Sequence, residues 1–531
     1  MAVLDATGVL AAVLAALLVV GPFAMISCTN GPTMGALWWS RRRQSYWSER
    51  GVPTPPSLPF VGSIWPVMTG RKSFAQHLYD IADHFREHGY CGMYSGVQRT
   101  LLVFDPEMAK QILCKDFGSF HDRGFPTSDS DPLSQHLISL SGSKWRNLRN
   151  RLSPTFTSGK LKLMFPLMRD VGDQLNATMA KEAHKAGGEV VHSKEAQKAD
   201  GEVDLSALLH RYTVDMIGSI AFGINCNCLV DENAEFLAMS RGVFTTTPAQ
   251  FLRFMLMAIH PKLGSLLPFK LVFSKVHRFF LDLMRSTVEH REKHEVVRND
   301  FVDIMMQARD KDHGDPDNNI ALTTEVMAAQ GFIFFVAGLD NVSNTVAYVV
   351  HRMAQDPALQ QRVADEVLAV INKHAGEVTY EGLKEMDLVD RVLQEGLRLW
   401  SPGGLAMRKC NKTTMVGDVL VEKDTNVMIV SHCMHKNPAI FPDPERFDPE
   451  RHTAEARQQR HPYAFIPFGE GPRVCLAERF ALLEMKLALV MLVRDFEFAR
   501  GPRFEASPAV DTKAFFPRPV NGFLVRVQNR G

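Results

Sequence analysis

From Ala6 to Ser40 the chain carries no charged residue, and Gly8 to Ile26 is almost wholly apolar. About 20 such residues cross a bilayer as a helix, so residues 1–28 are expected to form an N-terminal membrane anchor. A cleaved signal peptide would open on basic residues, whereas only Asp5 precedes this run. Arg41, Arg42, Arg43 and Arg50 follow it, and the positive-inside rule then places the rest of the chain on the cytoplasmic side. Residues 29–62 read as a basic, proline-rich linker. Its prolines between Val52 and Gly62 fix φ and withhold backbone donors, which predicts a stiff, extended connector.

Beyond residue 62 the dominant period is helical. Phe279 to Ala308, Thr324 to Gln355, Ala358 to Lys373 and Leu476 to Phe496 repeat apolar residues at helical spacing. Shorter β-branched runs, Thr100 to Phe104, Thr425 to Val430 and Gly522 to Val527, are bounded by turn residues and predict a minor sheet portion. Two polar, Gly-containing stretches, Lys185 to Gly201 and Lys311 to Asn319, predict surface loops. The expected fold class is mainly α, a large helical body with a small β-rich portion, and residues 63–531 are read as one catalytic domain.

Composition narrows the function. With 531 residues, 45% of them hydrophobic, and a net charge of +1, the chain can bury a large core and has no bulk basic character suited to nucleic acid. Its eight cysteines include no C-x-x-C pair, which disfavours a zinc ribbon or a disulfide scaffold.

One cysteine stands apart. In Pro467-Phe-Gly-Glu-Gly-Pro-Arg-Val-Cys475, Gly469 and Gly471 permit turns with positive φ that bring backbone amides near a sulfur. The predicted helix beginning around Leu476 points its positive end at that sulfur and favours a thiolate. A cysteine at a loop–helix junction, taken alone, is more often inert and buried. This segment, however, is similar to the haem loop of the cytochrome P450 family, F-x-x-G-x-R-x-C, at Phe468, Gly471, Arg473 and Cys475. The resemblance implies the P450 fold, haem b as cofactor, Cys475 as axial iron ligand, Arg473 on a haem propionate and Phe468 packed near the sulfur. Ala477 stands where the family often has glycine.

Further motifs extend the resemblance. Lys144-Trp-Arg-Asn-Leu-Arg149 is similar to the family's W-x-x-x-R helix, which implies propionate contacts from Trp145 and Arg149; Arg408 and Arg123 resemble further propionate-binding arginines. Glu395 and Arg398, three apart on one helix face, resemble the family's E-x-x-R pair, and the stretch Phe441 to His452 implies that Arg451, rather than Arg446, completes a structural triad. His452 replaces a usual phenylalanine there and is read as a packing variation. Within Thr324 to Gln355, Ala337, Gly338 and Asp340 match the oxygen-activating A-G-x-[DE]-T segment, but Asn341 replaces the usual threonine. Asp340 and Asn341 are the expected catalytic pair, although an amide is a poor proton carrier. His432-Cys433-x-His435 could be imagined as a metal site and is read instead as structural.

Asp131 to Ser134, Pro154 to Lys160 and Ala221 to Cys226 look like the insect microsomal P450 enzymes grouped with vertebrate drug-metabolising relatives. That resemblance implies an endoplasmic reticulum location, electrons from NADPH through cytochrome P450 reductase, and possible use of cytochrome b5. Arg146, Arg151, Lys160 and Lys162 are docking candidates for such an acidic partner. The resemblance also implies a pocket lined by residues 125–140, 332–335, 403–407 and 515–516, whose mostly apolar side chains suit a lipophilic small molecule. Phe251 to Met257 and Leu266 to Val272 are apolar enough to dip into membrane lipid. The leading reading is a monooxygenase. Its alternatives are a reductase-independent haem-thiolate isomerase or dehydratase, favoured only by Asn341, and a non-catalytic membrane haem protein that binds ligands.

Overall fold

The computed structural model describes residues 32–187, 202–243, 274–298, 300–311, 320–401, 403–512, 514 and 517–530. The expected anchor, most of the two expected polar loops, the two lipid-dipping segments and Phe515–Phe516 lie outside the described residues.

Helices of nine residues or more are numbered α1 Pro32–Gln44, α2 Phe74–His84, α3 Gly142–Leu152, α4 Ser158–Gly187, α5 Leu205–Ile217, α6 Glu235–Val243, α7 Ser274–His294, α8 Phe301–Lys311, α9 Thr324–Met353, α10 Pro357–Lys373, α11 Asp387–Leu399 and α12 Glu478–Asp495. The strands are β1 Tyr90–Ser95, β2 Gln98–Val103, β3 Glu202–Asp204, β4 Ala406–Lys409, β5 Thr414–Val416, β6 Val419–Val421, β7 Asn426–Ile429, β8 Phe496–Ala499 and β9 Leu524–Asn529. A four-stranded sheet runs β1-β2-β7-β4, parallel only between β2 and β7. A second sheet runs β3-β9-β8, and β5 pairs with β6 alone. Part of the stretch expected as linker is helical, since α1 occupies it, while Val52 to Ser57 is free of helix and strand.

Two apolar cores result. One lies around α9, α11, α12 and α5, and the other beneath the four-stranded sheet, where Trp47, Leu101 and Ile429 are completely buried. α9 is the one described helix long and apolar enough to cross a membrane, yet most of it is enclosed by the rest of the domain. Its start is set by Thr323, whose hydroxyl accepts from the Val326 N–H at 3.3 Å. Two glycines bring the α5 end of the molecule onto it. A Cβ at Gly338 would lie 2.6 Å from Ile217 Cδ1, and one at Gly331 would lie 2.8 Å from the Phe222 ring. The helix expected over 279–308 divides into α7 and α8, because Arg291 turns inward to Asp300 and Asp303, both buried, and the chain must bend to deliver them.

Candidate active site

The loop before α12 is built around Cys475. The Cys475 N–H donates to Phe468 O at 3.0 Å, Gly469 N–H to Ile466 O at 3.0 Å and Val474 N–H to Gly471 O at 2.9 Å, closing the loop on itself. Gly471 has φ +78°, and a Cβ there would sit 2.1 Å from Leu113 O, so both conformation and space demand glycine. Gly469, with φ +74°, has open space around it. α12 starts at Glu478, two residues later than the periodicity suggests. Burial pushes the Cys475 thiol up, against the pull of the Ala477 N–H and of the positive Arg123 and Arg149. A coordinated cation would reverse that balance, since a metal-bound thiol is held deprotonated.

Four arginines converge on this region. Arg473 is buried, donates to Leu140 O at 2.8 Å and holds its guanidinium carbon 4.1 Å from the centroid of the Trp145 ring. Arg123 donates to Arg473 O at 3.2 Å, and Arg408 to Met407 O at 2.8 Å. The group is short of negative charge. Among the described residues only Arg473 has a carboxylate, that of Asp122, and it is 3.6 Å away. Asp122 is itself held by the Gly142 N–H and the Asn411 amide, each at 2.9 Å. Burial, reinforced by mutual repulsion among the guanidinium groups, lowers Arg408 and Arg473 to about 9. The Nε atoms of Arg123, Arg408 and Arg473 are buried without a hydrogen-bond partner. Buried polar groups are ordinarily satisfied, so this donor-rich, carboxylate-poor cluster fits a ligand bearing anionic oxygens. A soft sulfur ligand beside it fits iron. Haem would meet both requirements, its iron held by the Cys475 thiolate and its two propionates by the arginines. Trp145 contributes the face of its ring beneath Arg473. Arg149 is half-buried and close enough to Cys475 to influence it.

The middle of α9 is continuous helix. Four side chains bond back to carbonyls four residues earlier: Asn341 Nδ2 to Ala337 O at 2.8 Å, Ser343 Oγ to Leu339 O at 3.0 Å, Asn344 Nδ2 to Asp340 O at 2.9 Å and Thr345 Oγ1 to Asn341 O at 2.7 Å. Such bonds satisfy these polar groups inside an apolar helix. Asn341 Oδ1 remains buried and unpartnered, so the position offers an acceptor. Asp340 is half-buried and meets His210 of α5, a contact that no sequence motif announces.

Glu395 is fully buried at the centre of a second polar cluster. Arg398 donates to it twice, from Nε at 2.7 Å and Nη2 at 2.8 Å, the Asp448 N–H donates at 2.8 Å, and His452 Nε2 lies 2.9 Å away. Burial raises the Glu395 carboxyl, but these bonds outweigh it and hold the group at about 2. Arg451 reaches only to 3.6 Å and donates to Asp443 O at 3.0 Å instead, while Arg446 supplies its carbonyl to Arg398. His452, read from sequence as packing, is therefore a closer member of the cluster than Arg451.

Other expectations find their places. Phe332 and Phe335 are buried against Phe280, with ring centroids 5.2 and 5.1 Å away, and so belong to the core rather than to a pocket lining. The partly exposed positions in the same segment are Phe334, Val336, Ala337, Gly338, Asp340 and Asn341. His432 stacks on the Tyr79 ring at 4.0 Å, Cys433 donates to the Tyr79 carbonyl and His435 Nε2 accepts from the Ile466 N–H at 3.1 Å, so all three side chains are engaged structurally. Of the docking candidates, Arg146 is exposed, Arg151 is tied to Ile320 O at 2.8 Å and Lys162 is paired with Glu381.

A half-buried cysteine in a tight glycine loop and, beside it, a cluster of arginines wanting an anion define a haem-thiolate protein. Comparison with known proteins agrees. The family model described as cytochrome P450 matches residues 52–524. The chain is 35% identical over 495 residues to the probable cytochrome P450 6a14 of Drosophila melanogaster, covering 91% of this chain and 95% of that protein. It is 33% identical over 499 residues to cytochrome P450 6a2 of the same organism, covering 92% and 96%. It is 31% identical over 500 residues to cytochrome P450 9e2 of Blattella germanica, covering 91% and 94%. The chain belongs to the cytochrome P450 family, its curated relatives here are insect enzymes, and its class is that of a haem monooxygenase.

Proposed function

We propose that the protein inserts one atom of O2 into a lipophilic small molecule, a xenobiotic, an insecticide-like compound or an endogenous lipid or hormone. Electrons come from NADPH through cytochrome P450 reductase, with cytochrome b5 as an auxiliary donor, at the endoplasmic reticulum membrane. The observation that carries this reading is the set of buried and half-buried, carboxylate-poor arginines around the Cys475 loop. Arg123, Arg149, Arg408 and Arg473 would hold the two propionates of haem, and Cys475 its iron. Haem held in this way supplies oxygen activation, favoured by electron density from the thiolate. Phe468 fixes the loop by accepting from the Cys475 N–H, and Gly471 lets it lie against Leu113. Glu395, Arg398, His452 and Arg451 brace the core behind it. On the α9 side, Asp340 holds a proton and Asn341 Oδ1 positions a water in place of the usual hydroxyl.

Asn341 also favours a second reading. Its amide is fixed on Ala337 O, and a site without a hydroxyl there suits a reductase-independent isomerase or dehydratase acting on a peroxide. Reconstitution with NADPH and the reductase separates the two. Substrate-stimulated NADPH consumption with an oxygenated product supports the monooxygenase; peroxide rearrangement without reductase, and no stimulated NADPH consumption, overturns it.

A further inference from the structure

The close crossing of α5 and α9 sets a histidine against Asp340. His210 Nδ1 lies 3.2 Å from Asp340 Oδ1, and its Nε2 lies 2.9 Å from Ser240 Oγ on α6. Ser240 is completely buried, and its hydroxyl donates to Leu237 O at 2.8 Å. With that hydrogen committed, Ser240 Oγ faces His210 as an acceptor, so Nε2 carries the hydrogen. In a neutral imidazole Nδ1 is then a bare lone pair. A lone pair facing a carboxylate oxygen at 3.2 Å is repulsive. The contact is attractive only with a proton between the two atoms, carried by the imidazole or by the carboxyl. The charges nearby leave this relation intact: α6 presents the neutral Ser240, and Arg211, next on α5, is engaged by Glu232 at 2.9 Å and Glu182 at 3.5 Å.

We propose that His210 and Asp340 hold one shared proton, with the imidazole tautomer fixed by Ser240, and that this pair is the proton reservoir of the active site. His210 is a positioning residue, acting through Asp340; the proposal rests on the monooxygenase reading for its use in turnover. Delivery of the proton takes the pair from zero net charge to −1 and involves no electron transfer. Water reloads it through the accessible edges of both side chains, 21% exposed for His210 and 17% for Asp340. The assignment explains how Asp340 can serve beside Asn341, whose amide is a poor proton carrier.

The test is nitrogen NMR of the full-length, haem-loaded protein labelled with 15N-histidine, the His210 signals being assigned by their loss in His210→Gln. The expected spectrum shows a protonated or strongly hydrogen-bonded Nδ1 together with a protonated Nε2, and Asp340→Ala returns Nδ1 to a bare nitrogen. In reductase-supported turnover, His210→Gln is expected to raise the hydrogen peroxide released per NADPH several-fold, with the carbon monoxide spectrum unchanged. Ser240→Ala, which frees the tautomer, should shift the same ratio upward and serves where His210→Gln does not load haem. A bare Nδ1 in the parent, or an unchanged peroxide ratio in the variants, overturns the proposal. A parent that consumes no NADPH overturns the monooxygenase reading instead, and the NMR result then still decides whether the proton is shared.

Discussion

The guanidinium of Arg473 lies over the indole of Trp145, 4.1 Å from the ring centroid, so the two motif residues support each other. Stacking desolvates the cation and fixes its plane, while Asp122 at 3.6 Å takes only part of its charge. A cation–π contact of this kind contributes about 0.5–2 kcal/mol. Trp145→Leu is therefore expected to release haem several-fold faster, and Arg473→Lys more than that, because an ammonium cannot reproduce the planar fork. Transfer of haem to an acceptor apoprotein measures both rates. Unchanged release in both variants would remove Arg473 from the haem site.

Glu395 carries a charge without solvent contact, so its partners govern stability. Removing one member of a buried pair costs about 3–5 kcal/mol. Glu395→Ala should therefore fail to accumulate as folded holoprotein. His452→Phe restores the family's usual residue but removes a hydrogen bond to a carboxylate, with an expected loss of about 1.5–3 kcal/mol, read by thermal denaturation. If His452 were only packing, as its sequence position suggests, the variant would melt with the parent.

Acid sensitivity follows from buried histidines. His351 is lowered to about 4 and His435 to about 3, in both cases chiefly by burial. Between the unfolded value, about 6.5, and those values the unfolded chain binds protons that the native protein does not. Stability then falls as pH falls, by up to about 1.4 kcal/mol per pH unit for each group. Glu395, held at about 2, adds a loss of the same sign below about 4.5. Denaturant melts from pH 7.5 to pH 5 should show the decline beginning near 6.5, and His435→Gln should flatten it. A pH-independent midpoint over that range would contradict the assignment.

The two loop glycines separate strain from space. Gly469→Ala meets no neighbour and should cost only the positive-φ penalty, about 1–2 kcal/mol. Gly471→Ala meets Leu113 O as well and should abolish haem incorporation. The ratio of haem absorbance to protein absorbance in purified material distinguishes them. Equal incorporation in the two variants would show that the contact with Leu113 is dispensable.

What could be read in advance depended on how local the signal was. The Cys475 loop and the Glu395–Arg398 pair are contiguous, and their spacing alone places them at one turn or on one helix face. The long apolar period of Thr324 to Gln355 gave α9 to within two residues at its end. Contacts between distant elements were harder. Nothing in the sequence joins His210 to Asp340, because the approach depends on Gly338 admitting Ile217. His452 was misread since its ring occupies the position of a phenylalanine, and only the 2.9 Å contact with Glu395 reveals its polar use. Phe332 and Phe335 were expected at a pocket by analogy with the family, but their face of the helix turns to Phe280. The split of α7 from α8 likewise arises from Arg291 and its two aspartates, whose pairing no apolar period encodes.

The central claim is that Cys475 is the axial ligand of a haem. The carbon monoxide difference spectrum of the dithionite-reduced protein, taken beside Cys475→Ala, tests it most directly. A strongly red-shifted Soret band in the parent that disappears in a haem-loaded variant is the predicted result; a folded, haem-loaded parent without that band, or a variant that keeps it, would contradict the account.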